Sequence, residues 1–464
     1  MNTSSFSDLS LSQAALDNLE RLGYHSMTPI QAQTLPFILD GRDLIAQGKT
    51  GSGKTAAFGL GIMHKLNPAW FGTQALVLCP TRELSEQVAT ELRRLARSAG
   101  NIKILTLCGG SAVKPQVESL QHGAHIIVAT PGRLRDLIER NAVDLSGIKT
   151  LVLDEADRMI DMGFYDDMAI IVGTCPDRRQ TLLFSATYPD NIRRASARFL
   201  HQPQEVLLLE QHESDSIEQR FYEVGGERAP AVARLLAHFR PTSTLAFCNT
   251  KAQVKDLAAY LRDQGYSALS LHGDLEQRDR EDVLVQFANQ SCSVLVATDV
   301  AARGLDIQGL DAVINAYISP QADVHVHRIG RTGRGEVRGL ALTLVGRDEM
   351  HRAAAIETRQ KSPLAWSRLE SLRPNGKGTL QAPMVTLCIQ GGKKNKLRAG
   401  DLVGALTKDL GYAFEQVGKI DLFDFVAFVA LDRRIAAEAC ERLSEGTIKG
   451  RHFRMRFMDN NGRD

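Results

Sequence analysis

The chain has 464 residues, 43% of them hydrophobic and 24% charged, so disorder, collagen and coiled coil are excluded as descriptions of the whole. Its 56 lysines and arginines nearly balance its 54 aspartates and glutamates, and a net charge of +2 does not by itself point to a nucleic-acid partner. At about 100–200 residues per domain, the length implies two to four domains. Seven cysteines are scattered without CxxC spacing, several inside apolar runs, as expected of reduced thiols in the cytosol. The opening residues show no basic start followed by an apolar run, and no apolar stretch reaches the roughly 18 residues of a membrane span. A cytoplasmic protein with no membrane partner is expected.

In chain order, short apolar, β-branched runs occupy 75–79, 125–129, 151–153, 181–184, 244–248, 293–297 and 312–318. Helical patterns such as 82–96 and 251–264 separate them. Strands that alternate with helices predict parallel sheets covered on both faces. The acidic stretch 208–215 interrupts the alternation and reads as a linker between an α/β domain at 1–207 and a second at 216–370. A Gly/Pro-rich stretch at 371–383 reads as another linker. Beyond it, strands are predicted at 385–390, 416–421, 425–431 and 452–458, with helices at 399–410 and 434–444. That is the β-α-β-β-α-β order of a small α+β domain of the RNA-recognition-motif type, placed at 384–460.

Three motifs carry chemistry. Gly48, Lys49, Thr50, Gly51, Ser52, Gly53, Lys54 and Thr55 satisfy GxxxxGK[ST] between an apolar run and a helical pattern. Glycines let backbone amides close around phosphate oxygens, Lys54 places a cation on the β- and γ-phosphates, and Thr55 offers a hydroxyl to Mg²⁺. About a hundred residues on, the apolar run 151–153 ends in Asp154 and Glu155. One carboxylate there can hold Mg²⁺ and the next can orient a water. In the second domain His327, Arg331 and Arg334 fall at i, i+4 and i+7. If that segment is helical they share one face, and cations so placed suit a γ-phosphate. The pairs His122/His125 and His325/His327 have no completing Cys or carboxylate cluster, so no zinc site is expected.

Taken together, these motifs resemble the DEAD-box RNA helicases. The tetrad 154–157 (DEAD) stands with 23–31 (GYHSMTPIQ), 80–84 (PTREL), Gly109-Gly110, 130–133 (TPGR), 185–187 (SAT), 277–280 (QRDR), 297–306 (ATDVAARGLD) and 327–334 (HRIGRTGR). The match spans roughly residues 1–370. The resemblance implies two RecA-like domains closing over ATP and single-stranded RNA. By it, Gln31 reads the adenine edge, Phe6 stacks on the base, and Asp306 binds the ribose. Lys54, Thr55 and Asp154 bind phosphate and Mg²⁺, Glu155 positions the attacking water, and Arg331 and Arg334 contact the γ-phosphate. Ser185, Thr187, Asp157 and His327 couple the ATP site to closure. Pro80, Thr81, Arg82, Gly109, Gly110, Thr130, Arg133 and Thr298 line an RNA backbone path that carries no base information.

Substrate choice must then come from the third domain. Phe423 and Phe425 are predicted on one strand face, able to stack bases, with Phe428 on the other face in the core. Lys393, Lys394, Lys396 and Arg398 precede a helix, and Arg454 and Arg456 alternate with Phe453, Met455 and Phe457, leaving both arginines on an open sheet face. With 418–421 and 448–451, this domain is similar to the C-terminal RNA-binding domain of one bacterial branch of the DEAD-box family. That resemblance implies tethering to the 23S ribosomal RNA hairpin of the peptidyl-transferase centre and action on pre-50S particles. A monomer with no DNA partner is expected. A general RNA remodeller or messenger-RNA helicase, a DNA helicase and a non-enzymatic RNA clamp are the alternatives.

Overall fold

A computed structural model describes residues 5–48, 51–186, 197–207, 217–302, 309–333, 339–376 and 378–458. They fall into two compact units, one through Leu207 and one from Ile217 onward. The first is built on a seven-stranded parallel sheet of β1 (Leu44–Gln47), β2 (Ala75–Leu78), β3 (Ile104–Leu107), β4 (Ile126–Ala129), β5 (Thr150–Leu153), β6 (Gln180–Ser185) and β7 (Gln204–Leu207), in the order β3-β4-β2-β5-β6-β1-β7. Successive side chains point to opposite faces, so each short strand feeds two cores. Ala46, Val77, Val128, Val152 and Phe184 pack on one side, and Ile45, Leu76, Ile127, Leu151 and Leu183 on the other. That double burial is why these strands read as continuous apolar runs.

The second unit repeats the plan with β8 (Ile217–Val224), β9 (Thr244–Cys248), β10 (Ala268–Leu271), β11 (Val294–Thr298), β12 (Ala312–Asn315), β13 (Gly339–Gly346) and β14 (Trp366–Ser367), again seven parallel strands, in the order β10-β11-β9-β12-β13-β8-β14. The C-terminal domain of the same unit is an antiparallel sheet of β15 (Met384–Ile389), β16 (Val417–Leu422), β17 (Ala427–Asp432) and β18 (Met455–Phe457), ordered β16-β17-β15-β18. One face carries the helices Ala399–Gly404 and Ala436–Glu445 over Leu387, Ile389, Val429 and Leu431. The predicted helix 399–410 is α-helical only to Gly404 and continues as a π turn, Ala405–Asp409.

The other face is not open. Cys388, Phe428 and Met458 form a buried cluster with Val285 of the helix Gln277–Ala288, which belongs to the second helicase sheet. The Thr386 hydroxyl is hydrogen-bonded to Ser291 Oγ at 2.6 Å and accepts from Asn289 Nδ2 at 3.3 Å, and the Met384 amide donates to the Gln290 carbonyl. Phe428 is therefore buried, but against the neighbouring domain and not in its own core. Phe423 and Phe425 are not on a strand, because residues 423–426 form the β16–β17 hairpin, closed by the Phe423 amide on the Val426 carbonyl. The physical reason lies in the outward face of β15 and β17, where Thr386, Cys388 and Phe428 are small or apolar and gain more from burial than from water.

The connection before β15 is anchored too. Gln381 Nε2 donates to the Gly265 carbonyl, Thr379 Oγ1 to Gln264 and Arg240 Nη1 to Gly378.

Candidate ATP site and RNA-binding surfaces

The phosphate loop leaves β1 at Gly48, whose amide donates to the Ser185 carbonyl at the end of β6. The helix Lys54–Lys65 follows at once. Its N-cap, Gly53, has φ +94°, and a Cβ there would lie 2.5 Å from Gln31 Nε2, so this turn admits only glycine. A second helix clamps the loop. Thr28 begins the helix Pro29–Leu39 with a reciprocal cap to Gln31, and Thr28 Oγ1 donates to the Ser52 carbonyl at 2.7 Å while Gln31 Nε2 donates to Gly53 at 3.1 Å. Buried Lys54 turns back onto its own loop, its Nζ 2.5 Å from the Gly48 carbonyl. Thr55 sits half-buried in the first turn, beyond Gly51 and Ser52. Phe6 is buried and meets Tyr24 edge to face.

Asp154 follows β5, with its amide on the Leu78 carbonyl. Burial, only partly offset by the Lys54 cation, pushes its carboxyl up to about 7. Glu155 is buried in left-handed backbone (φ +50°), a strained position for a non-glycine residue. Its carboxylate lies 3.4 Å from Arg158 Nε, an ion pair with both members buried. Buried Asp157 accepts from the Arg158 amide at 3.0 Å, and Ser185 is buried at the end of β6. These groups all stand at the C-terminal edge of the sheet, where open α/β folds bind ligands. Thr50, Thr187, Asp306 and Arg334 lie outside the described residues.

The same edge gathers the residues expected along the RNA path, because β3, β4 and β2 are neighbours. Pro80 and Thr81 follow β2, and Thr81 caps the helix Arg82–Leu95. Gly109 and Gly110 follow β3, and Thr130 follows β4 to open the helix Pro131–Glu139. A Cβ on Gly110 would fall 2.5 Å from Arg82 Nη1, so that guanidinium lies against the glycine turn. Arg133 Nη2 donates to the Ser111 carbonyl, joining two of the loops. In the second unit Thr298 ends β11 and accepts from the Ala301 amide. His327 lies in the helix Ala322–Ile329, which Gly330 terminates, so Arg331 stands beyond the helix and does not continue its face. The expected i, i+4 relation of His327 and Arg331 therefore does not hold, and the i+7 member, Arg334, lies outside the described residues.

On the C-terminal domain, Lys393, Lys394, Lys396 and Arg398 are exposed. Their loop is pinned by amides of Lys393 and Lys394 on the carbonyls of Phe423 and Asp424. Lys449 and Arg451 pack beside it, through Lys449 Nζ on the Lys396 carbonyl and Arg451 Nη1 on the Asn395 carbonyl. Six cations thus share one patch. Arg454 and Arg456 are exposed on β18 and just before it, Arg456 opposite Cys388.

Three family models match the chain: DEAD/DEAH box helicase over 28–195, helicase conserved C-terminal domain over 227–336, and DbpA RNA binding domain over 386–457. ATP-dependent RNA helicase DbpA of Escherichia coli is 50% identical over 97% of this chain and 98% of its own. The chain is a DEAD-box RNA helicase. ATP-dependent RNA helicase CshA of Limosilactobacillus reuteri is 44% identical over 76% of this chain and 71% of its own. Among solved structures, Dbp5 of S. cerevisiae bound to RNA and ADP BeF3 aligns with TM-score 0.72 and 29% identity, covering 79% of this chain and 96% of that one.

The helicase is thus an ATP-dependent enzyme of the DbpA type that binds RNA, which removes the non-enzymatic clamp and the DNA helicase as readings. Two buried arginines beside these motifs escaped sequence reasoning. Arg158, three positions after Glu155, lies 3.4 Å from its carboxylate. Arg328, between buried His325 and Ile329, is itself buried and pairs with Asp299. A basic residue on the apolar stripe of a short helix was the available signal.

Proposed function

We propose that this helicase is tethered through its C-terminal domain to a 23S ribosomal RNA hairpin near the peptidyl-transferase centre and remodels neighbouring short duplexes in pre-50S particles, in the cytoplasm and as a monomer. The observation that carries this is the six-cation patch formed by 393–398, Lys449 and Arg451 on the domain that matches the RNA-binding model. A patch of phosphate-binding cations built on one loop and one neighbouring turn suits a compact folded RNA element.

In the ATP site, Lys54 leaves the Gly48 carbonyl for the β- and γ-phosphates. The hard oxygen donors of Thr55 and Asp154 fit Mg²⁺, because the buried Asp154 carboxyl, raised by desolvation, regains its charge beside a cation. Bound there, Mg²⁺ supplies charge neutralisation at the phosphates. Glu155, held by Arg158, orients the water that attacks the γ-phosphorus as the bond to the ADP oxygen breaks, and Arg331 and Arg334 stabilise the charge that develops. ATP and RNA together draw the helicase domains closed, and phosphate release reopens them.

The test is steady-state ATPase at fixed salt, with a 23S fragment carrying the hairpin titrated against unrelated RNA of equal length. Stimulation at much lower concentration of the ribosomal fragment is expected. Equal stimulation would leave a general RNA remodeller.

A further inference from the structure

Where the C-terminal domain packs on the helix Gln277–Ala288, contact is incomplete. A groove of about 760 Å³ remains between that helix and the 423–426 hairpin. Its floor is apolar, made by Val285, Cys388 and Phe428. Its walls carry Arg278, Lys393 and Arg456 against Glu281, Asp282 and Asp424. Two phenylalanines stand at it. Phe423 is 42% exposed and held edge to face on Phe428, and Phe425 is 71% exposed.

We infer that this groove takes one unpaired RNA nucleotide, its base against Phe423 and Phe425 and its phosphate toward Arg278, Lys393 and Arg456. The volume lies in the range of small-ligand pockets. An exposed aromatic ring beside cations is the usual platform for an unstacked base, whose π face costs no sequence information. The near balance of charge distinguishes the groove from the lysine patch. A run of phosphates would meet three carboxylates here, whereas one base with one phosphate uses both signs. The carboxylates can accept from the amino or imino hydrogens of a base edge. Asp282 is raised by burial and drawn down by Arg278 and Arg456, so it stands among these guanidiniums and not in open water. Lys393 belongs to both the patch and the groove wall, so a strand leaving a hairpin on the patch passes the groove. The site is composite, since neither the second helicase domain nor the C-terminal domain completes it alone.

This inference rests on the tethering reading for the origin of the strand, and its test separates the two. Affinities of the full-length protein at fixed salt are measured by fluorescence anisotropy for the ribosomal hairpin, blunt and with a short single-stranded overhang, and for an unrelated hairpin in the same two forms. The overhang is expected to tighten wild-type binding about ten-fold, as stacking one base does. Phe425→Ala and Arg278→Ala should each remove most of that gain while leaving blunt-hairpin affinity unchanged, and Phe425→Tyr should keep it. A 4-thiouridine in the overhang should crosslink to residues 423–426. No overhang gain, or a gain that survives both alanine variants, overturns the groove. A gain of equal size on both hairpins without preference between them upholds the groove and overturns the ribosomal tether.

Discussion

Arg328 and Asp299 form a two-pronged ion pair, Nε to Oδ1 and Nη2 to Oδ2, both at 2.7 Å. The same guanidinium donates to Asn315 Oδ1, the Tyr317 carbonyl and Asn249 Oδ1, and lies over the Phe247 ring. The planar fork is thereby spent on the ends of β9, β11 and β12. Lysine cannot reproduce that geometry. Arg328→Ala should destabilise the second helicase domain by about 2–3 kcal/mol, the cost of removing a buried side chain and leaving its hydrogen-bond acceptors without their donor. Denaturant melts monitored by circular dichroism would show it. A melt within about 0.5 kcal/mol of wild type, the range of ordinary surface changes, would remove the keystone role.

Arg331 is tested through turnover. Arg331→Ala should lower RNA-stimulated ATP turnover about a thousand-fold, as loss of an arginine finger does. Turnover within a few-fold of wild type would exclude contact with the γ-phosphate.

At the nucleotide site, Glu155→Gln should keep ATP affinity and reduce turnover by at least about a hundred-fold. Lys54→Ala should instead weaken ATP binding, because the ammonium now on Gly48 would no longer reach phosphate. Equilibrium titration with a fluorescent ATP analogue and single-turnover hydrolysis distinguish the two variants.

His325 makes stability depend on pH. Burial, with the nearby Arg328 cation adding to it, pushes its imidazole down to about 3, and Phe221 and Asn315 pack against it. The unfolded chain binds the proton near 6.5 and the folded chain does not. Stability is therefore fully present above about 6.5 and falls by about 1.4 kcal/mol per pH unit as the solution is acidified from there toward 3. Denaturant melts at pH 7.5 and 5.5 should show a loss in wild type that His325→Gln lacks. Equal losses in both proteins would assign the pH dependence to other groups.

For the lysine patch, replacing Lys393, Lys394 and Lys396 together by alanine should flatten the dependence of log affinity on log salt by about 2, close to 0.7–0.9 per lost phosphate contact. An unchanged slope would place the RNA elsewhere on the domain.

The sequence was most readable where local chemistry dictates structure. Apolar runs such as 126–129 and 150–153 are strands because both their faces are buried, and Gly53 is glycine because its φ of +94° is left-handed backbone against Gln31. It was least readable where distant segments meet. Alternation along β17 puts Phe428 opposite Val429, but nothing local says that Val285 covers it. Likewise, the i, i+4 spacing of His327 and Arg331 holds only while the helix lasts, and Gly330 ends it. Arg328 looked like one more cation of a basic run because its five hydrogen bonds go to residues as far off as Asn249.

The hydrogen bonds along 375–381 and the burial of Thr386, Cys388 and Phe428 make the C-terminal domain a ruler and not a leash. A flexible leash lets its cargo sample a sphere, and lengthening it only dilutes the local concentration. A ruler sets one offset between the surface that grips RNA and the helicase domain it is mounted on. Inserted residues in such a connection would break the register before they extended the reach, and a duplex at the wrong distance from the gripped element would go unread however tightly that element was held.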